Sequence, residues 1–138
     1  MRHLIPSSPL LRAALLGDAA VSAGMGLLLT AAAQPMASLL ALPGPLLRGA
    51  GLVLLPYAGL VAWLGVQSCL PRWMVRGVIG INLLWAVDSI LLLALGFAAP
   101  NALGMTFVLL QTVAVLGFAL LQGAGLRRGA TFGATVIA

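Results

Sequence analysis

The sequence offers few reactive side chains, and the most informative ones lie inside apolar segments. Asp18 and Asp88 are its only acidic residues, and both fall within long runs of hydrophobic side chains. A carboxyl group in such surroundings can handle protons or cations, or it can accept hydrogen bonds from neighbouring helices. An aspartate at mid-membrane costs at least about 2.5 kcal/mol. Both aspartates are therefore expected to face a bundle interior or a cavity.

The remaining reactive residue types are too few to build a catalytic or metal centre. His3 is the single histidine and lies in a short N-terminal tail, and Cys69 is the single cysteine. One cysteine excludes an internal disulfide and a multi-cysteine metal site. No phosphate loop, dinucleotide fingerprint, nucleophile elbow or zinc-protease motif is present. The sequence therefore predicts no catalytic residue, no metal and no cofactor, and we do not expect an enzyme.

The composition is that of a membrane protein. Hydrophobic residues make up 62% of the 138 residues and charged residues 7%, whereas soluble domains are roughly half apolar and a quarter charged. The net charge of +5 comes from arginines. These lie at the ends of apolar segments and not on one solvated face, so the lipid bilayer is an expected partner and nucleic acid is not.

Four apolar segments are long enough to cross a bilayer, which takes about 20 helical residues. They are separated by proline, glycine and arginine, and they run over residues 11–33, 46–70, 73–99 and 102–126. The short connections force neighbouring helices to run antiparallel. The predicted fold is all-α, a four-transmembrane-helix up-down bundle, and residues 1–138 form a single integral membrane domain.

The arginines predict how the bundle is oriented. Six of them flank one end of the predicted helices and only Arg48 lies at the other end; the six are Arg2, Arg12, Arg72, Arg76, Arg127 and Arg128. By the positive-inside rule, both termini are expected in the cytoplasm, with the protein in a bacterial inner (cytoplasmic) membrane. The arginine-only, alanine- and leucine-rich usage is typical of a GC-rich bacterial genome.

Depth along the helices predicts two polar layers. At about 1.5 Å per residue, Asp18 lies roughly 12 Å from the cytoplasmic end and Asp88 roughly 21 Å from it. The first layer pairs Asp18 with Asn82. The second layer contains six side chains: Asp88, Ser89, Tyr57, Gln111, Thr112 and Ser22. Gln122 is expected nearer the cytoplasmic edge, where water is available.

The polar layers allow two interpretations. They can form a proton- or ion-handling path or a polar substrate pocket, or they can be hydrogen bonds between helices, typically worth about 0.6 to 2 kcal/mol each. We expect the protein to be a structural or accessory membrane component. Its expected partners are further copies of itself, in a homo-oligomer, or the subunits of a larger membrane complex. The alternative is a small oligomeric transporter or channel that uses an intramembrane aspartate. A lipid- or quinone-modifying enzyme is a more distant option.

Several short motifs resemble those of an uncharacterised family of small bacterial four-helix integral membrane proteins. They are Gly17-Asp18, Leu47-Arg48-Gly49, Leu54-Leu55-Pro56-Tyr57, the stretch from Asn82 to Ser89, Leu110-Gln111 and Leu121-Gln122. The resemblance extends over nearly the whole chain. It implies the four-helix fold and carries no activity.

Overall fold

The protein is an all-α bundle, as the sequence predicts. The computed structural model describes residues 4–137, with side chains described up to residue 131. Its elements, in chain order, are β1 (Leu4–Pro6), α1 (Pro9–Ala31), α2 (Ala33–Leu40), α3 (Gly44–Val66), β2 (Cys69–Pro71), α4 (Arg72–Ala94) and α5 (Ala102–Ile137). Four of the helices, α1, α3, α4 and α5, are long and apolar enough to cross a membrane. By length and composition this is a multi-pass membrane protein.

The helix bounds differ from the predicted ones in four places. The first segment is predicted to run to residue 33, whereas α1 ends at Ala31, and a separate short helix, α2, fills much of the connection to α3. The third and fourth long helices differ most: α4 ends at Ala94, before Gly96 with its positive φ, and α5 continues to Ile137. The arginine pair at 127 and 128 does not end α5, because arginine is a good helix former.

A small two-stranded ribbon replaces the predicted end of α3. Helix α3 ends at Val66, and Cys69–Pro71 pairs antiparallel with Leu4–Pro6. Ile5 and Leu70 face each other in this pair, and both are buried. The N-terminal segment thus satisfies the backbone of the α3–α4 connection, which helical periodicity alone does not reveal.

Local capping fixes the ends of the helices. Ser8 accepts a hydrogen bond from the backbone N–H of Leu11 at 3.1 Å, and Pro9 follows at the first helical position, a typical helix start. Arg12 donates to the last carbonyls of α3, at Gly65 (3.1 Å) and Val66 (3.3 Å). A guanidinium there complements the negative end of the helix dipole. These contacts hold α1 and α3 together at what we call the arginine-rich end of the bundle, where Arg12, Arg72, Arg76, Arg127 and Arg128 lie.

The helices pack in the order α3, α1, α5, α4, while α3 and α4 do not pack along each other. The most extensive packing is between α1 and α3, and it is close. A Cβ atom on Gly51 would lie 2.5 Å from Thr30 Oγ1 and 2.9 Å from the carbonyl oxygen of Gly26. Small residues permit this backbone proximity, which is the usual way that membrane helices gain packing energy. Leaving α3 and α4 apart produces a groove on one side of the bundle.

Two apolar cores fill the bundle, one at each end. The core at the arginine-rich end includes Leu11, Leu15, Val61, Leu64, Leu70, Val75 and Val78. The core at the opposite end includes Leu29, Leu40, Leu42, Leu47, Leu54 and Val108. Between them lies a layer of buried polar side chains, which is the most unusual feature of the interior.

Candidate functional site: a closed polar cluster and an open groove

Each of the four long helices contributes a side chain to one buried polar cluster. The cluster consists of Asp18 and Ser22 from α1, Tyr57 from α3, Asn82 from α4 and Gln122 from α5. The exposed fraction is 1% for Asp18, 2% for Asn82 and 0% for Gln122. We refer to these five residues as the Asp18 cluster.

The carboxyl group of Asp18 is surrounded by hydrogen-bond donors. Its Oδ2 accepts from Tyr57 Oη at 2.8 Å, from Asn82 Nδ2 at 2.9 Å and from Gln122 Nε2 at 2.7 Å. Its Oδ1 accepts from Ser22 Oγ at 3.1 Å. A carboxylate has about four acceptor positions, and the protein supplies four donors to it, three of them on Oδ2.

The donors also bond to one another. Asn82 Nδ2 donates to Gln122 Oε1 at 3.2 Å, and Tyr57 Oη lies 3.1 Å from Asn82 Oδ1. The tyrosine hydroxyl has one hydrogen, so it is shared between Asp18 and Asn82. Such a connected network in a low-dielectric interior strengthens its own members and penalises the loss of any of them.

No cation accompanies this buried acid among the residues whose side chains the structure describes. Arg12, one and a half turns before Asp18 on α1, is engaged with the carbonyls of Gly65 and Val66. Asp18 is therefore held by amide and hydroxyl dipoles alone. That arrangement suits a fixed structural group better than one that exchanges ions, because a transported ion must be able to displace its competitors.

The structure groups the predicted polar residues differently from the sequence estimate. Asp18 and Asn82 lie together, as in the first predicted layer, but Tyr57 and Ser22 join them and do not contact Asp88. The depth estimate for Tyr57 assumed that α3 continued to Leu70. Counted from the observed helix ends, Tyr57 and Asp18 are each nine residues inside the bundle, at about 14 Å on the helical rise.

Gln122 is the residue of the cluster that depth counting missed. Leu11 packs against Gly125, so the Cα atoms of Asp18 and Gln122 differ in level by four residues, or roughly 6 Å. Helical side chains tilt toward the N-terminus of their own helix. Since α1 and α5 are antiparallel, the two side chains tilt toward each other, and the long glutamine bridges the difference. The spacing between Gln111 and Gln122, about three helical turns, predicts a shared helix face but not this reach.

The rest of the second predicted layer does not form a cluster. Ser89 donates to the carbonyl of Trp85 at 2.8 Å, and Thr112 donates to the carbonyl of Val108 at 2.8 Å, so both bond within their own helices. Asp88 is exposed. Gln111 is half-buried. What Asp88, Ser89 and Gln111 share is a border on the groove between α3 and α4.

The groove runs along the bundle between α3 and α4, with α1 and α5 as its floor. The half beside the Asp18 cluster has a volume of about 680 Å³, and the half toward the opposite end has about 470 Å³. Both halves are bordered by Val53, Trp85, Phe107 and Gln111, so the groove is continuous. Its walls are mostly apolar, and this size is usual for small-molecule sites.

The arrangement has clear chemical limits. In the part of the chain that the structure describes, no three His, Cys, Asp or Glu side chains come together as a metal site requires. Cys69 is exposed in the ribbon, away from both aspartates along the chain. The two features that are candidates for a functional role are the closed Asp18 cluster and the open groove.

Comparison with known proteins identifies no relative of this chain. No family model matches the chain, and no curated protein or solved structure is similar to it. The resemblance to small bacterial four-helix membrane proteins therefore stays a prediction, and function has to be argued from the geometry.

Proposed function

We propose that this protein is a structural or accessory component of a bacterial inner membrane, with both termini in the cytoplasm. Its four helices form a non-conducting body, fastened internally by the Asp18 cluster. Its lateral groove receives an apolar part of another membrane constituent. The distribution of the arginines supports the orientation.

The observation that carries this proposal is the closure of the hydrogen-bond network around Asp18. All four of its contacts are donors from the protein, one or more from each long helix. A carboxyl group that serves a conducting path needs a changing set of partners, including water or the transported ion. A group held this way fixes the axial positions of the helices relative to one another, because each helix has one position at which its side chain reaches Asp18.

Proton flux in proteoliposomes tests the proposal. The full chain is reconstituted with a pH-sensitive dye inside the vesicles, and a potassium diffusion potential is imposed with valinomycin. We expect flux equal to that of protein-free vesicles for the wild type and for Asp18→Asn. Wild-type flux that Asp18→Asn abolishes, with the fold intact by circular dichroism, would overturn the non-conducting assignment.

A second candidate function is a small oligomeric transporter or channel, and one observation favours it. Asp88 is exposed beside the groove and forms no hydrogen bond or ion pair with any residue that the structure describes. A path through a single bundle is unsupported because the Asp18 cluster closes it, so the path would lie between copies. This candidate predicts flux that Asp88→Asn, and not Asp18→Asn, removes.

A further inference from the structure

The groove has one charged residue on its border, and that charge has no partner in the chain. Asp88 lies six residues before the end of α4 at Ala94, or about 9 Å along the helix. It forms no hydrogen bond or ion pair within the described part of the chain. An unpaired carboxylate beside apolar walls is costly, so its presence favours a cation supplied from outside the chain.

No arginine that the structure describes forms an ion pair with Asp88. Arg48 is at the same end as Asp88, but it is not among the residues that border the groove. The arginines of α4 and the C-terminal part of α5 lie at the arginine-rich end, more than two turns from Asp88 along α4.

The surroundings of Asp88 suit an organic cation better than a metal ion. The neighbouring polar groups on the groove are Ser89, whose hydroxyl already donates to its own helix, and the amide of Gln111. This falls short of the six or more oxygen ligands that a hard cation prefers. Trp85 borders both halves of the groove and offers an aromatic face, which attracts ammonium and related cations.

The half of the groove farther from Asp88 suits an apolar body. It is bordered by Leu60, Ile81, Phe107, Val115 and Phe118, and the polar atoms of the Asp18 cluster at its floor are engaged with one another. A ligand gains from burying hydrocarbon there, and the polar side chains that the cluster does not engage, Gln111 and Trp85, lie where the two halves of the groove meet. The groove is thus charged at its border near one end and apolar along the rest.

We propose that the groove between α3 and α4 binds a lipophilic organic cation, such as an amine or quaternary ammonium attached to an alkyl or aryl body. The positive charge lies beside Asp88 and Trp85, and the apolar body lies along the groove toward the Asp18 cluster. This inference rests on the proposed function, since it names the constituent that the groove receives.

Binding of a matched pair of probe ions tests the proposal. Tetraphenylphosphonium and tetraphenylborate have nearly the same shape and opposite charge, so hydrophobic partition alone does not separate them. Equilibrium dialysis is carried out with the full-length protein in a neutral detergent, against detergent alone. We expect saturable binding of tetraphenylphosphonium that tetraphenylborate does not compete.

Variants locate the site. Asp88→Asn removes the charge with little change in shape and should weaken tetraphenylphosphonium binding at least about tenfold, since each tenfold corresponds to about 1.4 kcal/mol. Asp88→Glu should restore most of it. Trp85→Leu should weaken binding by about threefold to tenfold through the loss of the aromatic face. Trp63→Leu is the matched control, because Trp63 is 52% exposed and does not border the groove.

Three outcomes would overturn the proposal: no saturable binding, equal binding of both ions, or equal affinity in the wild type and Asp88→Asn. A fourth is occupation of the groove by a second copy of the chain. Ile81→Cys would then give high yields of disulfide-linked dimer in the bilayer, in a background where Cys69 is replaced by serine. None of these readouts depends on proton flux, so they separate failure of this inference from failure of the non-conducting assignment.

Discussion

The two aspartates of this chain occupy opposite environments. Asp18 is 1% exposed and accepts hydrogen bonds from all sides, whereas Asp88 is exposed and bonds to no described residue. The difference follows from packing. Asp18 lies where α1, α3, α4 and α5 converge, and Asp88 lies where α4 has no partner on the side of α3. The same residue type therefore fastens one part of the bundle and leaves another part open to a ligand.

Replacing each aspartate with leucine should separate the two environments most strongly. Asp18→Leu removes the acceptor that four donors share and leaves Ser22 Oγ and Gln122 Nε2 without any other, so we expect a loss of about 2 to 4 kcal/mol in the free energy of unfolding. Asp88→Leu should change the free energy of unfolding by less than about 0.5 kcal/mol, or increase it. Unfolding by sodium dodecyl sulfate in mixed micelles, followed by circular dichroism, measures both. Equal losses would mean that Asp18 is not the fastening group.

Two glycines of α3 extend the comparison from charge to packing. Gly51→Ala should lower the free energy of unfolding by about 1 to 3 kcal/mol, because the new methyl group would lie 2.5 Å from Thr30 Oγ1. Gly59→Ala, eight residues later on the same helix, meets nothing within 4 Å and should be neutral or stabilising. The same unfolding assay distinguishes them. A loss at Gly59 as large as at Gly51 would contradict the close contact between α1 and α3.

The connectedness of the Asp18 cluster predicts coupling between its amides. In a double-mutant cycle, Asn82→Leu and Gln122→Leu should show an interaction energy of about 0.6 to 1.7 kcal/mol, because they bond to each other and to the same oxygen of Asp18. A second cycle between Gln122→Leu and Ser89→Ala should be additive, since Ser89 bonds within α4. Additivity in the first cycle would indicate independent contacts and not a network.

The smallest expected effect concerns the arginines of the two ends. Arg12→Gln removes the hydrogen bonds to the carbonyls at the end of α3 and should cost about 0.5 to 1 kcal/mol. Arg48→Gln should cost close to nothing, because Arg48 is exposed and has no hydrogen-bond partner among residues 4–131. Thermal unfolding in detergent at low and moderate salt measures the difference. Equal effects of Arg12→Gln and Arg48→Gln would show that Arg12 does not stabilise the end of α3.

Much of the architecture could be predicted from the sequence. Long apolar runs interrupted by proline, glycine and arginine predict the four helices, because spanning length is set by the bilayer. The helix ends were less predictable. The ribbon of Leu4–Pro6 with Cys69–Pro71 depends on a pairing between distant segments, and the continuation of α5 past Arg127 depends on helix propensity, which arginine favours.

The polar site was only partly predictable. The contact of Asp18 with Asn82 follows from their depth, because each is nine or ten residues from the end of its own helix. Tyr57 could not be placed before the end of α3 was known, and Gln122 could not be placed without the tilt of its side chain. The exposure of Asp88 depends on the separation of α3 and α4, which helix periodicity does not encode.

Infrared spectroscopy of isotopically labelled aspartate tests the central contrast most directly. The chain contains two aspartates and no glutamate, so Asp88→Asn isolates the labelled carboxyl of Asp18, and Asp18→Asn isolates that of Asp88. Our account predicts that Gln122→Leu, which removes the 2.7 Å hydrogen bond from Gln122 Nε2, shifts the Asp18 bands and leaves the Asp88 bands unchanged. It predicts that the Asp88 bands shift when tetraphenylphosphonium binds. Asp18 bands that Gln122→Leu leaves unchanged would contradict the closed cluster.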